Sequence, residues 1–172
     1  MIAELEHWHE FYVLVGTAGA TLLALLFVAV SLGAGFLDES RAAATRAFYS
    51  PVVVHFTAVF FLAAISLVPA HRAVFFAAMI GACAVIGTLV SLFVAVQLLR
   101  HDWTRYAQDH LSFALLPTLA YIALLVAAYL IWNGNDLALD VLAGALLLLL
   151  VVNIRNAWDL TLSMVRHQTE RR

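Results

Sequence analysis

The chain has no lysine, one cysteine and three prolines, and only 12% of its 172 residues are charged. The lone Cys83, set in the apolar run Gly81-Ala-Cys83-Ala-Val, excludes an internal disulfide and a cysteine-based metal cage. Nine arginines against eleven acids make no basic stripe for a phosphate backbone, so a nucleic-acid partner is excluded. Shortage of charge also removes the polar skin that a soluble domain needs. Hydrophobic residues make up 65% of the chain, and the mean hydropathy is +0.97. Soluble domains run at about half apolar and about a quarter charged. Lipid is therefore the solvent for most of this chain.

Other absences narrow the function. There is no nucleophile–base pair, no paired intramembrane carboxylates, no glycine-rich phosphate loop and no metalloprotease motif, so an enzyme and a cofactor are not expected. The opening Met1-Ile-Ala-Glu4-Leu-Glu6-His7-Trp8-His9-Glu10 is acidic, unlike a secretory signal, and the first apolar span is expected to stay in the mature protein. Its histidines and carboxylates are metal-ligand types. Two histidines two residues apart do not share a helix face, however, and the reading is an acidic tail meeting headgroups, with no metal. A two-histidine haem site fails as well, because His55 is the one histidine well inside a span.

What is present are long apolar runs. A bilayer core of about 30 Å takes about 20 helical residues. Spans are predicted over about residues 11–36, 50–70, 73–99, 111–132 and 137–154, with 155–172 a helical extension and tail. The fifth run is short unless its helix begins at Leu137, with Asp136 and Asp140 in the first turns, where the helix dipole favours acids. Ser50-Pro51 reads as an N-cap followed by proline at the first helical position, although Ala42–Tyr49 could extend that helix backwards. Pro69-Ala-His71-Arg72 and Asn133-Gly-Asn135-Asp136 read as turns, and Pro117 as a kink in the fourth span.

Five spans collect Arg41, Arg46, Arg100, Arg105, Arg155, Arg166, Arg171 and Arg172 on one side and leave Arg72 on the other. The positive-inside rule then puts the C-terminus in the cytoplasm and the N-terminus outside. Trp8, Tyr12, Tyr129 and Trp132 would mark one interface, and Tyr49, Trp103, Tyr106 and Trp158 the other. The predicted architecture is an all-α integral membrane protein, a single domain of five transmembrane helices over residues 1–172.

Two stripes stand out. In the first span Glu10, Leu14, Thr17, Thr21, Ala24, Val28, Ser31, Gly35 and Asp38 recur at alternating spacings of four and three, on one helix face. The third span carries Ala77, Gly81, Ala84, Thr88, Ser91 and Ala95. Small residues let helix backbones approach closely in lipid. The sharper alternative for the first stripe is a pore wall of Thr17, Thr21, Ala24, Val28 and Ser31 repeated around a ring, with Glu10 and Asp38 at its mouths. The opposite face, with Leu22, Leu26, Phe27 and Val30, suits lipid or bulky neighbours.

Among polar groups within spans, His55 lies about 7 Å inside the start of the second span by helix rise. It is a candidate for gating or proton sensing, or else a neutral residue bonded to a neighbour. Gln97 and Tyr121 read as interhelical hydrogen-bonders. At the end of the fifth span Asn153, Arg155, Asn156 and Asp159 form a candidate polar collar, with Arg155 and Asp159 spaced to pair. Ile154, Trp158 and Leu162 make an apolar face there, suited to docking.

The segments His9-Glu10-Phe11-Tyr12-Val13, Gly16-Thr-Ala-Gly-Ala-Thr21 through Ser31-Leu32, and Asn156-Ala-Trp158-Asp159-Leu160 resemble short bacterial multi-pass membrane proteins of uncharacterised function, some labelled "modulator of FtsH protease". The resemblance implies a bacterial inner-membrane protein and brings no catalytic residues. Val52-Val-Val-His55-Phe, Pro69 and Val85-Ile-Gly-Thr-Leu89 more faintly resemble calcium-release-activated calcium channel subunits. Those have four spans, a cytoplasmic N-terminus and a pore glutamate ring, from all of which this chain departs. The functional expectation is a self-associating pore-forming subunit for a small ion, in contact with lipid. The alternative is a non-transporting accessory subunit of a larger membrane complex such as a membrane protease.

Overall fold

The computed structural model describes residues 7–33, 39–69, 72–100 and 111–169. Within them every regular element is helical: α1 (His9–Gly33), α2 (Glu39–Ser66), α3 (Ala73–Arg100), a π-helical turn Leu111–Leu115 leading into α4 (Leu116–Trp132), and α5 (Ala138–Thr169). Four of these are long and apolar enough to cross a bilayer, over His9–Ala29, Ala73–Gln97, Ser112–Trp132 and Ala138–Leu162. The protein is a multi-pass helical membrane protein. The run that falls short is not the fifth, as the sequence suggested, but the second. Its apolar part is Pro51–Ser66, which at about 1.5 Å per residue rises about 24 Å against a core of about 30 Å.

Of the two sequence readings for Pro51, the backward extension of the helix is the one found. Pro51 is not at the first turn of its helix, because α2 starts at Glu39 and runs through it. Pro117 sits in the first turn of α4, directly after the π turn. Proline offers no N–H to the carbonyl four residues back, and the widened turn accommodates that loss without breaking the chain's helical course. The turn between α4 and α5 is as expected. Gly134 takes φ 66°, the Asn135 N–H donates to Leu130 O at 3.0 Å, and Asn135 Oδ1 accepts from the Leu137 N–H at 2.9 Å. A left-handed residue with that long-range closure is a Schellman-type helix end, which glycine adopts without strain.

Helices α1 and α2 run antiparallel, and so do α3 and α4. On α1 and α2, Gly16 lies against Ala63 and Gly19 against Val59 and Phe56; on α3 and α4, Gly81 lies against Ala128 and Gly87 against Tyr121. Helices α2, α3, α4 and α5 pack in a closed ring, with α2 and α4 facing each other across it. Helix α1 stands outside the ring, against α2 and α5. The core is filled by Phe56, Leu62, Phe76, Ile80, Leu124, Ile131, Leu142, Leu146 and Leu149, all buried. Since lipid tails are as apolar as these side chains, close packing rather than exclusion from water is what holds the helices together.

The contact face of α1 holds Tyr12, Val15, Gly16, Gly19 and Leu26. Leu22 and Leu26 therefore meet protein, not lipid as one sequence reading allowed. Tyr12 faces protein: it is fully buried, edge-on to the Phe11 ring and tilted against that of Trp8. Tyr129 and Trp132, by contrast, stand exposed at the end of α4.

Candidate functional site

Among the described residues, the centre of the bundle holds one polar side-chain pair. His55 of α2 and Tyr121 of α4 meet across the ring, with Nδ1 and the phenol oxygen 2.7 Å apart and ring centroids 5.4 Å apart. Both residues are buried, His55 at 1% exposure. Glycine at position 87 of α3 makes the pair fit, because a Cβ there would overlap Cε1, Cζ and Cδ1 of Tyr121. The pairing also corrects the depth of His55. Tyr121 lies near the middle of the run Ser112–Trp132 and Gly87 near the middle of Ala73–Gln97. His55 is therefore at mid-bundle, not just inside one end. The shallow placement came from starting the helix at Pro51, whereas α2 begins at Glu39.

Assigned with the phenol O–H donating to Nδ1, the pair leaves the ring hydrogen on Nε2. Nε2 has no partner among the described residues. The same holds for Ser91 Oγ, Asn153 Oδ1 and Asn156 Oδ1, all on side chains that are buried. Buried polar atoms left unpaired are costly and uncommon, so four within one ring of helices call for an explanation.

The candidate collar at the end of α5 divides into two parts. Asn153 and Asn156 point inward. Asn153 Nδ2 donates to Leu149 O at 2.8 Å, and Asn156 Nδ2 donates to Ser112 O at 3.0 Å in the π turn of the neighbouring helix. Asn156 therefore ties α5 to the irregular turn that Pro117 requires. Replacing it with leucine should cost about 1–2 kcal/mol, read as a lowered melting temperature in detergent. Arg155 and Asp159 point outward, half exposed, and pair at 3.8 Å one helical turn apart. Asp159→Asn should change stability by less than about 0.5 kcal/mol in the same assay, since exposed pairs of this kind contribute little.

The first-span stripe lies on the other side of α1 from its contact face. Glu10, Thr17, Thr21, Ala24, Val28 and Ser31 are all exposed, about half a turn around the helix from Gly16 and Gly19. Packing against the described residues of the protomer is thereby excluded as the reason for this part of the stripe. Thr21 Oγ1 donates to Thr17 O and Ser31 Oγ to Phe27 O, both at 2.8 Å, so their hydroxyl hydrogens are satisfied while oxygen lone pairs face outward. Asp38 lies outside the described residues. The third-span stripe does the opposite: Ala77, Ala84 and Ser91 are buried, and Gly81 faces Ala128. Gln97 is exposed.

Sequence reasoning missed Gly87 and Ser112 and did not join His55 to Tyr121. Gly87 falls off the regular third-span stripe, and its signal was a lone glycine within an apolar helix, which usually has a packing reason. Among the described residues no group of three or more histidines, cysteines or acids could hold a metal. Comparison with protein-family models, curated proteins and solved structures returned no match.

Proposed function

We propose that this protein crosses the cytoplasmic membrane of a bacterium five times, N-terminus outside, and assembles with copies of itself into a conduit for a small ion. The outward-facing stripe of α1 lines that path. The observation that carries this reading is the position of Thr17, Thr21 and Ser31 on a face that no helix of the same protomer covers. Hydroxyls spaced along a membrane helix serve better against water or another subunit than against acyl chains. Five crossings are supported by α2 lying alongside α1 through Phe56, Val59 and Ala63 despite its short apolar run, and by eight arginines falling on one side. Glu10 and Asp38 would gather cations at the mouths, and His55 would act as the internal gating or proton-sensing group.

The test is reconstitution of purified protein in liposomes with an ion-flux readout. Flux is expected, together with a change of about threefold or more on Thr21→Leu. With Cys83→Ser as background, Thr17→Cys should cross-link between protomers on mild oxidation. No flux at any voltage, combined with no cross-link, rejects the conduit.

A second reading rests on a different observation. Trp158 is 63% exposed beside Ile154 on α5, past the Asn156 collar, where an accessory subunit would dock on a larger membrane complex such as a protease. A stoichiometric partner recovered from native membranes with the wild type, and lost with Trp158→Ala, would favour that reading over the conduit.

A further inference from the structure

We infer that a file of water enters the protomer itself from the Asn156 end and stops at His55, half-way through the bundle. This inlet lies inside one protomer and is independent of any path between protomers. It stands on four side-chain atoms that lack partners among the described residues: His55 Nε2, Ser91 Oγ, Asn153 Oδ1 and Asn156 Oδ1. They come from three helices of the ring and are all on residues no more than 1% exposed.

Their order along the axis is what makes a path. Gly87 is level with Tyr121 and hence with His55, and Ser91 is one turn further on the same face of α3. Because Gly81 faces Ala128 and Gly87 faces Tyr121, that turn leads toward Ser112, the residue that Asn156 contacts. By helix rise, Ser91, Asn153 and Asn156 stand roughly 6, 9 and 13 Å from the His55 level. Successive steps of about 3–6 Å match one or two waters, each of which takes about three hydrogen bonds from otherwise unpaired buried groups.

Among the described residues, the other half of the bundle offers no such groups on its axis. Leu62, Ile80, Leu124, Ile131 and Leu142 fill it, all fully buried. The nearby Ser66 closes its hydroxyl on Leu62 O at 2.7 Å. The Tyr12 hydroxyl, which also lacks a partner among the described residues, belongs to α1 outside the ring. Apolar walls of this kind stay dry. The inlet is one-sided, and it ends where the imidazole N–H can exchange with water from that side alone.

The experiment uses the full chain, labelled with nitrogen-15 histidine, in lipid nanodiscs. The His55 ring signal is assigned by its loss in His55→Gln. On transfer to deuterated buffer, the His55 ring N–H of the wild type should exchange at least about tenfold faster than the backbone amides of Phe56 and Leu124, and should show magnetisation transfer from water. Ser91→Ala with Asn153→Leu should slow it about tenfold, while Leu142→Val, at the dry end, leaves it unchanged. If the wild-type ring N–H exchanges no faster than those amides and gives no water transfer, the inlet does not exist. Because that result is read on the wild type, it holds whether or not either variant folds, and flux between protomers would be untouched by it.

Discussion

Gly87→Val should prevent the bundle from closing. The Tyr121 ring occupies the space where any Cβ at position 87 would sit, and the ring is buried, tied to His55 and unable to swing into solvent. Overpacking typically costs about 1–3 kcal/mol and more where the neighbour cannot move. The expected result is loss of monodisperse protein in detergent, or a melting temperature lowered by well over 10 °C. Even Gly87→Ala should be strongly destabilising, which distinguishes this position from Gly144, where a Cβ meets nothing and alanine should be tolerated. Tyr121→Ala in the Gly87→Val background should recover part of the loss by making room. If Gly87→Val is as stable as the wild type, α3 and α4 are not packed as described, and the central pair goes with them.

The second large effect concerns α1. Gly19→Leu should detach this helix from the ring, because a Cβ at Gly19 would lie 3.5 Å from Phe60 N and 3.7 Å from Phe56 O, so the added branches run into backbone. Gly16→Leu should act likewise, since a Cβ there already sits 3.2 Å from the Ala63 Cβ. Each should cost about 1–3 kcal/mol. Detachment would be seen as faster amide hydrogen exchange over His9–Ala29 of the purified protein, with α2–α5 still helical by circular dichroism. Thr17→Leu and Ala24→Leu, on the exposed face of the same helix, should leave the protomer's melting temperature within about 0.5 kcal/mol equivalent and change only cross-linking and flux. Two faces of one helix thus give opposite outcomes, one for folding and one for assembly.

Much of the architecture was open to inspection in the sequence because lipid imposes a simple rule. A helix in a bilayer must satisfy its own backbone and present apolar side chains for some 30 Å, so runs between charges mark helices almost directly. The Asn133–Asp136 turn, the long final helix and the pairing of Arg155 with Asp159 follow from local chemistry of that kind. The same reasoning showed that Thr17, Thr21 and Ser31 share one face of the first helix, since periodicity depends on a single helix and nothing else.

Which way that face turns was a different matter. Gly16 and Gly19 on one side and Thr17 and Thr21 on the other are both residue types that form seams between membrane helices, and either face could have been the seam. Contact with Ala63, Val59 and Phe56 chose the glycines, because there the backbones approach more closely than a hydroxyl side chain permits. Likewise His55 and Tyr121 are 66 residues apart, and no local pattern joins them. Only the ring of four helices brings opposite corners to a common axis, and only the missing side chain of Gly87 leaves room for the phenol between them. Periodicity along one helix comes from the chain's own geometry, while the choice of neighbour comes from how closely separate helices can approach.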